Sequence, residues 1–207
     1  MTQEIDVRRF LARSTRQAHE ALHVHPWLSR LSAPDLTFGV YAAILQAYAE
    51  VHLAVEASRL RAGVTDRLGL AGRIAALRSD LAGMGRSADL GRPPALAETR
   101  DGAAALAALY VLHGAGFGGR VLSAHVAESL PDAPRRFLTR GTSAPLWRIL
   151  TMALQNHAAD ERALRRMQAS AEATFALVAA TVSRHCGASG QSGAALPDAV
   201  TTLRELH

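Results

Sequence analysis

Apolar residues recur at helical spacing along most of the chain, and period-two alternation with β-branched side chains is nearly absent, so the pattern predicts an almost entirely helical protein. Leu11, Thr15, Ala18 and Leu22 make one stripe of a first helix over about Thr2 to Leu22, with His19 beside it; that helix ends before Pro26. Ala33-Pro34-Asp35 and Leu36-Thr37 signal the start of a long helix through Tyr41, Leu45, Tyr48 and His52 to about Arg61, closed by Gly63. Leu70, Ile74, Leu77 and Leu81 predict a shorter helix over Asp66 to Met84, and Gly85 to Ala95, with Gly91, Pro93 and Pro94, reads as a loop. Further on, an arginine-bearing stretch after Pro134 precedes helices from about Ser143 to His157 and from about Asp160 to Arg184. Gly187 to Gly193 reads as a flexible linker, and the closing LPDAVTTLRELH has room only for a short helix. The expected organisation is one all-α domain over 1–186 and a linker with a short terminal segment over 187–207, without internal repeats.

Gly102 to Gly119 is eighteen residues with no formal charge unless His113 is protonated. Its length approaches a membrane span, but it is mostly alanine and glycine with few strong hydrophobes, so it predicts a helix buried inside the domain.

Composition narrows the chemistry. With 207 residues, 49% hydrophobic and 20% charged, the chain has material for one full core. All 23 basic side chains are arginine and none is lysine, which excludes Schiff-base catalysis through a lysine amine. Cys186 is the only cysteine, so neither an intramolecular disulfide nor a cysteine-ligated zinc cluster forms within the chain. The opening MTQEIDVRRF lacks the apolar stretch of a secretory signal, and a cytoplasmic location is expected. The formal charge of +5 is spread along the chain without interleaved aromatics, so no nucleic-acid partner is expected; the same arginines would suit an anionic small ligand.

Three constellations hold candidate chemistry. Gly114, Gly116, Gly118 and Gly119 crowd between the helical runs ALAALYVLH and VLSAHV, and each glycine costs a helix about 1 kcal/mol against alanine. Either the bare backbone admits a flat ligand, or Gly114 and Gly118, on one face, let another helix pack closely. The same residues spell G-x-G-x-x-G, but the strand and parallel βαβ context that make it a dinucleotide site are missing. Second, His19 and His23 lie one turn apart on the first helix, as an imidazole ligand for a metal or haem iron would, or as unremarkable surface histidines. His25, His52, His125, His157, His185 and His207 fall in no distinguishing pattern. Third, Trp147, Arg148, Arg162, Arg165, Arg166 and Phe175 lie in the last two helices, where some arginines would hold an acidic ligand at a pocket rim or simply form a wet face.

Four stretches resemble one family. Leu11-Ala-Arg-Ser-Thr-Arg-Gln-Ala-His19, with a threonine four residues before the histidine, resembles the proximal helix of the heme oxygenases. Arg73-Ile-Ala-Ala-Leu-Arg-Ser-Asp80-Leu81 is similar to a basic-x-x-x-Leu-x-x-Asp-Leu segment of its bacterial members. Tyr110-Val-Leu-His-Gly-Ala-Gly-Phe-Gly-Gly-Arg-Val-Leu122 tracks the distal motif Tyr-Val-Leu-Glu-Gly-Ser-Thr-Leu-Gly-Gly-Arg-Val. The Trp147 helix and Ala171-Glu-Ala-Thr-Phe175 fall where the last family helices lie. The likeness spans about Arg8 to Arg184 and is nearest to the branch that accompanies bacterial phytochromes.

The resemblance implies a helical bundle with heme between proximal and distal helices. It implies His19 as axial iron ligand, Gly114 and Gly118 as the catalytic backbone contacts, and Arg16, Phe117, Gly119 and Arg148 as further cofactor-binding residues. Heme would be both cofactor and substrate, opened with O₂ and electrons from an external reductase to biliverdin, CO and ferrous iron. A phytochrome would be one acceptor of the product, and iron release the other use. Here His113 stands for the motif's glutamate, Ala115 for its serine, Gly116 for its threonine and Phe117 for its leucine. Because Ala115 and Gly116 offer neither carboxylate nor hydroxyl, the alternative function is heme binding without efficient turnover.

Overall fold

The computed structural model describes residues 5–87, 96 and 101–192, with side chains to residue 188. Among these are nine α-helices, two short 3-10 turns and no strand, which agrees with the helical periodicity.

The expected first helix is two: α1 (Val7–Ser14) and α2 (Arg16–His23), separated at Thr15. The Thr15 hydroxyl donates to the Leu11 carbonyl at 2.7 Å, a back-bond of the type that bends helices, and the expected start at Thr2 lies outside the described residues. The long helix α3 (Phe38–Arg61) begins at Thr37, whose hydroxyl accepts from Val40 N at 3.3 Å, and ends before Gly63, which adopts φ +65°. Asp66 to Met84 is also not one helix: a 3-10 turn (Asp66–Leu68) precedes α4 (Ala71–Gly83). The backbone N–H of Leu70 is drawn to Glu56 Oε2 at 2.9 Å, a tertiary bond that competes with helical continuation. Most of the expected loop after Gly85 lies outside the described residues.

Gly102 to Gly119 is interrupted. α5 (Gly102–Ala115) ends at Gly116, and α6 (Gly119–Ser129) leaves at 45°. Ala103 to Leu109 are all buried, as the alanine-rich composition predicts. By length and composition α3 would also cross a membrane, but 67% of its apolar stretch is buried inside the fold. Next come α7 (Arg136–Arg140), α8 (Ala144–His157) and α9 (Glu161–Ser192). Residues 187–192 therefore continue α9 where composition predicts a linker; propagating a formed helix is cheap enough to carry two glycines. The closing segment after residue 192, His207 included, lies outside the described residues.

The core forms where α5 packs along α9 and α8, and α3 packs on α9 and α4. The small side chains of α5 let α9 approach closely, so that the Ser170 hydroxyl reaches the Ala104 carbonyl at 2.7 Å. α1 rests on α8 and α9, and α2 on α9, so the first helices and α5 share the same two supports. The buried Asp80 of α4 accepts from Arg136 N at 3.0 Å and Phe137 N at 2.8 Å, anchoring α7.

Candidate functional site

None of the four clustered glycines has a positive φ; among the described residues only Gly63, Gly85 and Gly141 do. Conformational freedom therefore does not account for them. Packing accounts for two. A Cβ on Gly119 would collide with the Leu138 carbonyl, and one on Gly116 would run into the Thr142 hydroxyl and lie 2.7 Å from an Arg73 guanidinium nitrogen. Gly114 and Gly118 are different. A Cβ on Gly114 would make ordinary contact with the Trp147 ring at 3.7 Å, and one on Gly118 would meet nothing nearer than the Ala115 carbonyl at 3.9 Å. Close packing is thus the reason for the pair that spacing does not single out, and Gly119 belongs to that buried pair rather than to an open ligand surface.

Around this bare surface lie aromatics. Trp147 stacks on Tyr110 at 5.2 Å and meets Phe117 edge-on at 5.1 Å. Phe117 and Val121 are exposed, as are Ile149 and Met152 on α8, which leaves apolar side chains unburied along both helices. His113 points away: it is 2% exposed, with Nε2 bonded to the Leu68 carbonyl at 3.0 Å. Ala115 is exposed and Gly116 buried, with no hydroxyl or carboxylate of their own.

On α2, His19 is exposed, with its ring edge-on to His23 at 4.7 Å and to Phe175 of α9 at 6.0 Å. Among the described residues neither of its ring nitrogens makes a hydrogen bond, whereas ring nitrogens of His25, His52, His113, His157 and His185 all do. Partial burial and the neighbouring His23 hold His19 below its ordinary value, against an opposing pull from Glu20, so its lone pair is available. No third histidine, cysteine or acid joins His19 and His23 in a metal cluster among the described residues.

The arginines divide by surroundings. Arg16 is exposed and loosely paired with Glu20 at 3.9 Å, and Arg148 is exposed on α8 beside Trp147. Arg165 pairs with Glu161 and Arg166 with Asp101, so both are engaged at the surface. Sequence reasoning left Arg73 as a motif position only; in the fold it is buried directly behind Gly116.

No family model and no curated protein matches the chain in sequence. Solved structures do match. The heme oxygenase of Leptospira interrogans superposes with a TM-score of 0.68 at 19% identity, covering 87% of this chain and 100% of that one. The chain has the heme oxygenase fold. Heme oxygenase-1 of the cyanobacterium Synechocystis, solved in complex with heme, gives a TM-score of 0.68 at 13% identity over 91% of this chain and 96% of its own. The NO- and CO-bound heme oxygenase of Neisseria meningitidis gives 0.64 at 19% over 88% and 93%. The all-helical architecture implied by the resemblance is thereby shown, without singling out the phytochrome-associated branch.

Proposed function

We propose that this chain is a heme oxygenase, which opens heme to biliverdin, CO and ferrous iron with O₂ and electrons from an external donor. The observation that carries the reading is the pair Gly114 and Gly118: one glycine inside α5 and one at the start of α6, which neither a positive φ nor close protein packing requires. The cost of Gly114 to α5, and the open space in front of Gly118, are explained by a flat ligand that needs the room.

The residues suit that ligand. His19 offers a neutral imidazole with a free lone pair, the form in which histidine binds haem iron. The exposed Phe117, Val121, Ile149 and Met152 supply apolar surface for a porphyrin to cover, at about 25 cal/mol per Å² removed from water. Arg148 and Arg16 are the cations on α8 and α2 to which its propionates are assigned. When bound, heme supplies the iron that activates O₂ and the ring that is opened. The chain's own part is to hold the iron from α2, to keep side chains off the opposite face at Gly118, and to admit water where Ala115 and Gly116 leave room. We place the protein in the cytoplasm, where the released biliverdin serves a phytochrome or the released iron is used.

A second reading, heme binding without efficient turnover, is favoured by one observation: Ala115 is exposed at the bend and has no group to hand on a proton. Adding one equivalent of hemin and then ascorbate or a reductase with O₂ separates the two. Conversion of a saturable Soret band to a biliverdin spectrum is expected. A stable ferrous-oxy or six-coordinate spectrum supports the binder, and absence of any saturable Soret band overturns both.

A further inference from the structure

Arg73 of α4 is only 6% exposed, yet among the described residues no carboxylate pairs with it. Its Nε–H donates to Nε2 of His52 at 3.2 Å. His52 donates Nδ1–H to the Tyr48 carbonyl at 2.6 Å, which leaves Nε2 as the acceptor and the imidazole neutral. One terminal nitrogen reaches the Gly141 carbonyl at 3.4 Å, and the guanidinium lies 4.8 Å from the centre of the Phe137 ring. The other terminal nitrogen has no acceptor among the described residues.

Buried cations ordinarily come with an anion. The surroundings here are Tyr48, His52, His113 and a further cation, Arg140; burial, with Arg140 adding to it, lowers Arg73 to about 10, still charged at neutral pH. The nearest compensation is the negative end of the α5 dipole, because Gly116, the C-cap of α5, lies against Arg73. A Cβ on Gly116 would run toward Arg73, whereas one on Gly118 would face open space.

We propose, resting on the heme reading above, that Arg73 is an electrostatic positioning residue: its charge behind Gly116, paired with no carboxylate, makes the Gly118 side of the bend prefer an anionic ligand on the iron. A fixed charge of this kind stabilises negative charge where it develops during oxygen reduction, without touching the reacting atoms.

The test compares hemin-loaded wild type with Arg73→Gln, Arg73→Lys and His113→Glu. Arg73→Gln removes the charge but keeps donors; His113→Glu keeps Arg73 and gives it a counter-ion. Each ferric complex is titrated at pH 8 with azide, an anion, and with imidazole, a neutral ligand. Arg73→Gln and His113→Glu are expected to weaken azide on the order of tenfold, the effect of a unit charge across roughly a helix diameter, and to leave imidazole unchanged. Arg73→Lys is expected to restore azide binding.

In Arg73→Gln or His113→Glu, equal effects on both ligands, or no effect on either, would overturn the proposal. If Arg73→Gln does not fold, His113→Glu decides on the same criterion. A normal Soret band with unchanged azide preference removes this inference alone. Failure of wild type to bind hemin removes the heme reading, and this inference with it.

Discussion

Gly119 lies against the carbonyl oxygen of Leu138 so closely that a Cβ there would collide with it. Gly118, one residue earlier, faces open space. Gly119→Ala must push α7 away and is expected to cost about 2–4 kcal/mol, read as a lowered denaturant midpoint. Gly118→Leu is expected to keep the wild-type midpoint while weakening hemin binding at least tenfold, by roughly 1.4 kcal/mol or more. Global unfolding of Gly118→Leu with no effect specific to the ligand would return that glycine to packing.

His19→Ala is expected to abolish normal axial ligation and turnover while leaving the fold intact, because His19 is exposed and its ring contacts are edge-on, with His23 and Phe175. Added imidazole should restore the Soret position in part. Unchanged spectra and activity would remove His19 from the role.

His52 and His113 are both buried, and burial holds His52 well below, and His113 below, the ordinary value of 6.5. A depressed folded value means that the unfolded chain binds protons first as the pH falls. The stability these groups contribute is fully present above about pH 6.5 and is lost as the pH drops through the folded values. The apo protein's melting temperature, followed by circular dichroism, should therefore hold between pH 8 and 7 and fall below about 6.5. A flat profile from pH 7 to 5 would contradict this.

Asp80 accepts the first backbone N–H groups of α7 from a fully buried position. Asp80→Ala leaves both donors without that partner and is expected to cost about 2–4 kcal/mol. Since α7 carries Leu138 against Gly119, the same variant should also loosen the bend, seen as faster amide exchange at 116–119. Exchange unchanged at the bend would mean that α7 is held by other contacts.

Much of the helical framework is visible in the chain. Thr37 and Gly63 bound α3 as their residue types predict, and the Ser143 hydroxyl accepts from Leu146 N at 3.4 Å to start α8. The errors fall where side chains bond to backbone: at Thr15, which bends the first helix, and at Leu70, whose N–H Glu56 takes from a distance of fourteen residues. The tail over 187–192 is helical because α9 carries on, which local composition does not register.

The bend was legible as a glycine cluster, but its division into two packing glycines and two open ones was not. That division depends on which way each Cα faces and on what Leu138, Thr142, Arg73 and Trp147 bring to it from α4, α8 and the chain between them. Arg73 shows the same limit: nothing in Arg-Ile-Ala-Ala-Leu announces that the arginine is buried beside His52 without a carboxylate. Periodicity and caps are local, so the amino-acid order alone determines an all-helical chain with a glycine-rich segment and a histidine in its opening helical stretch. Burial, collision and unpaired charge arise between residues far apart along the chain, so only the tertiary structure decides which glycines are free, which histidines are tied up in hydrogen bonds, and where a cation without a carboxylate lies.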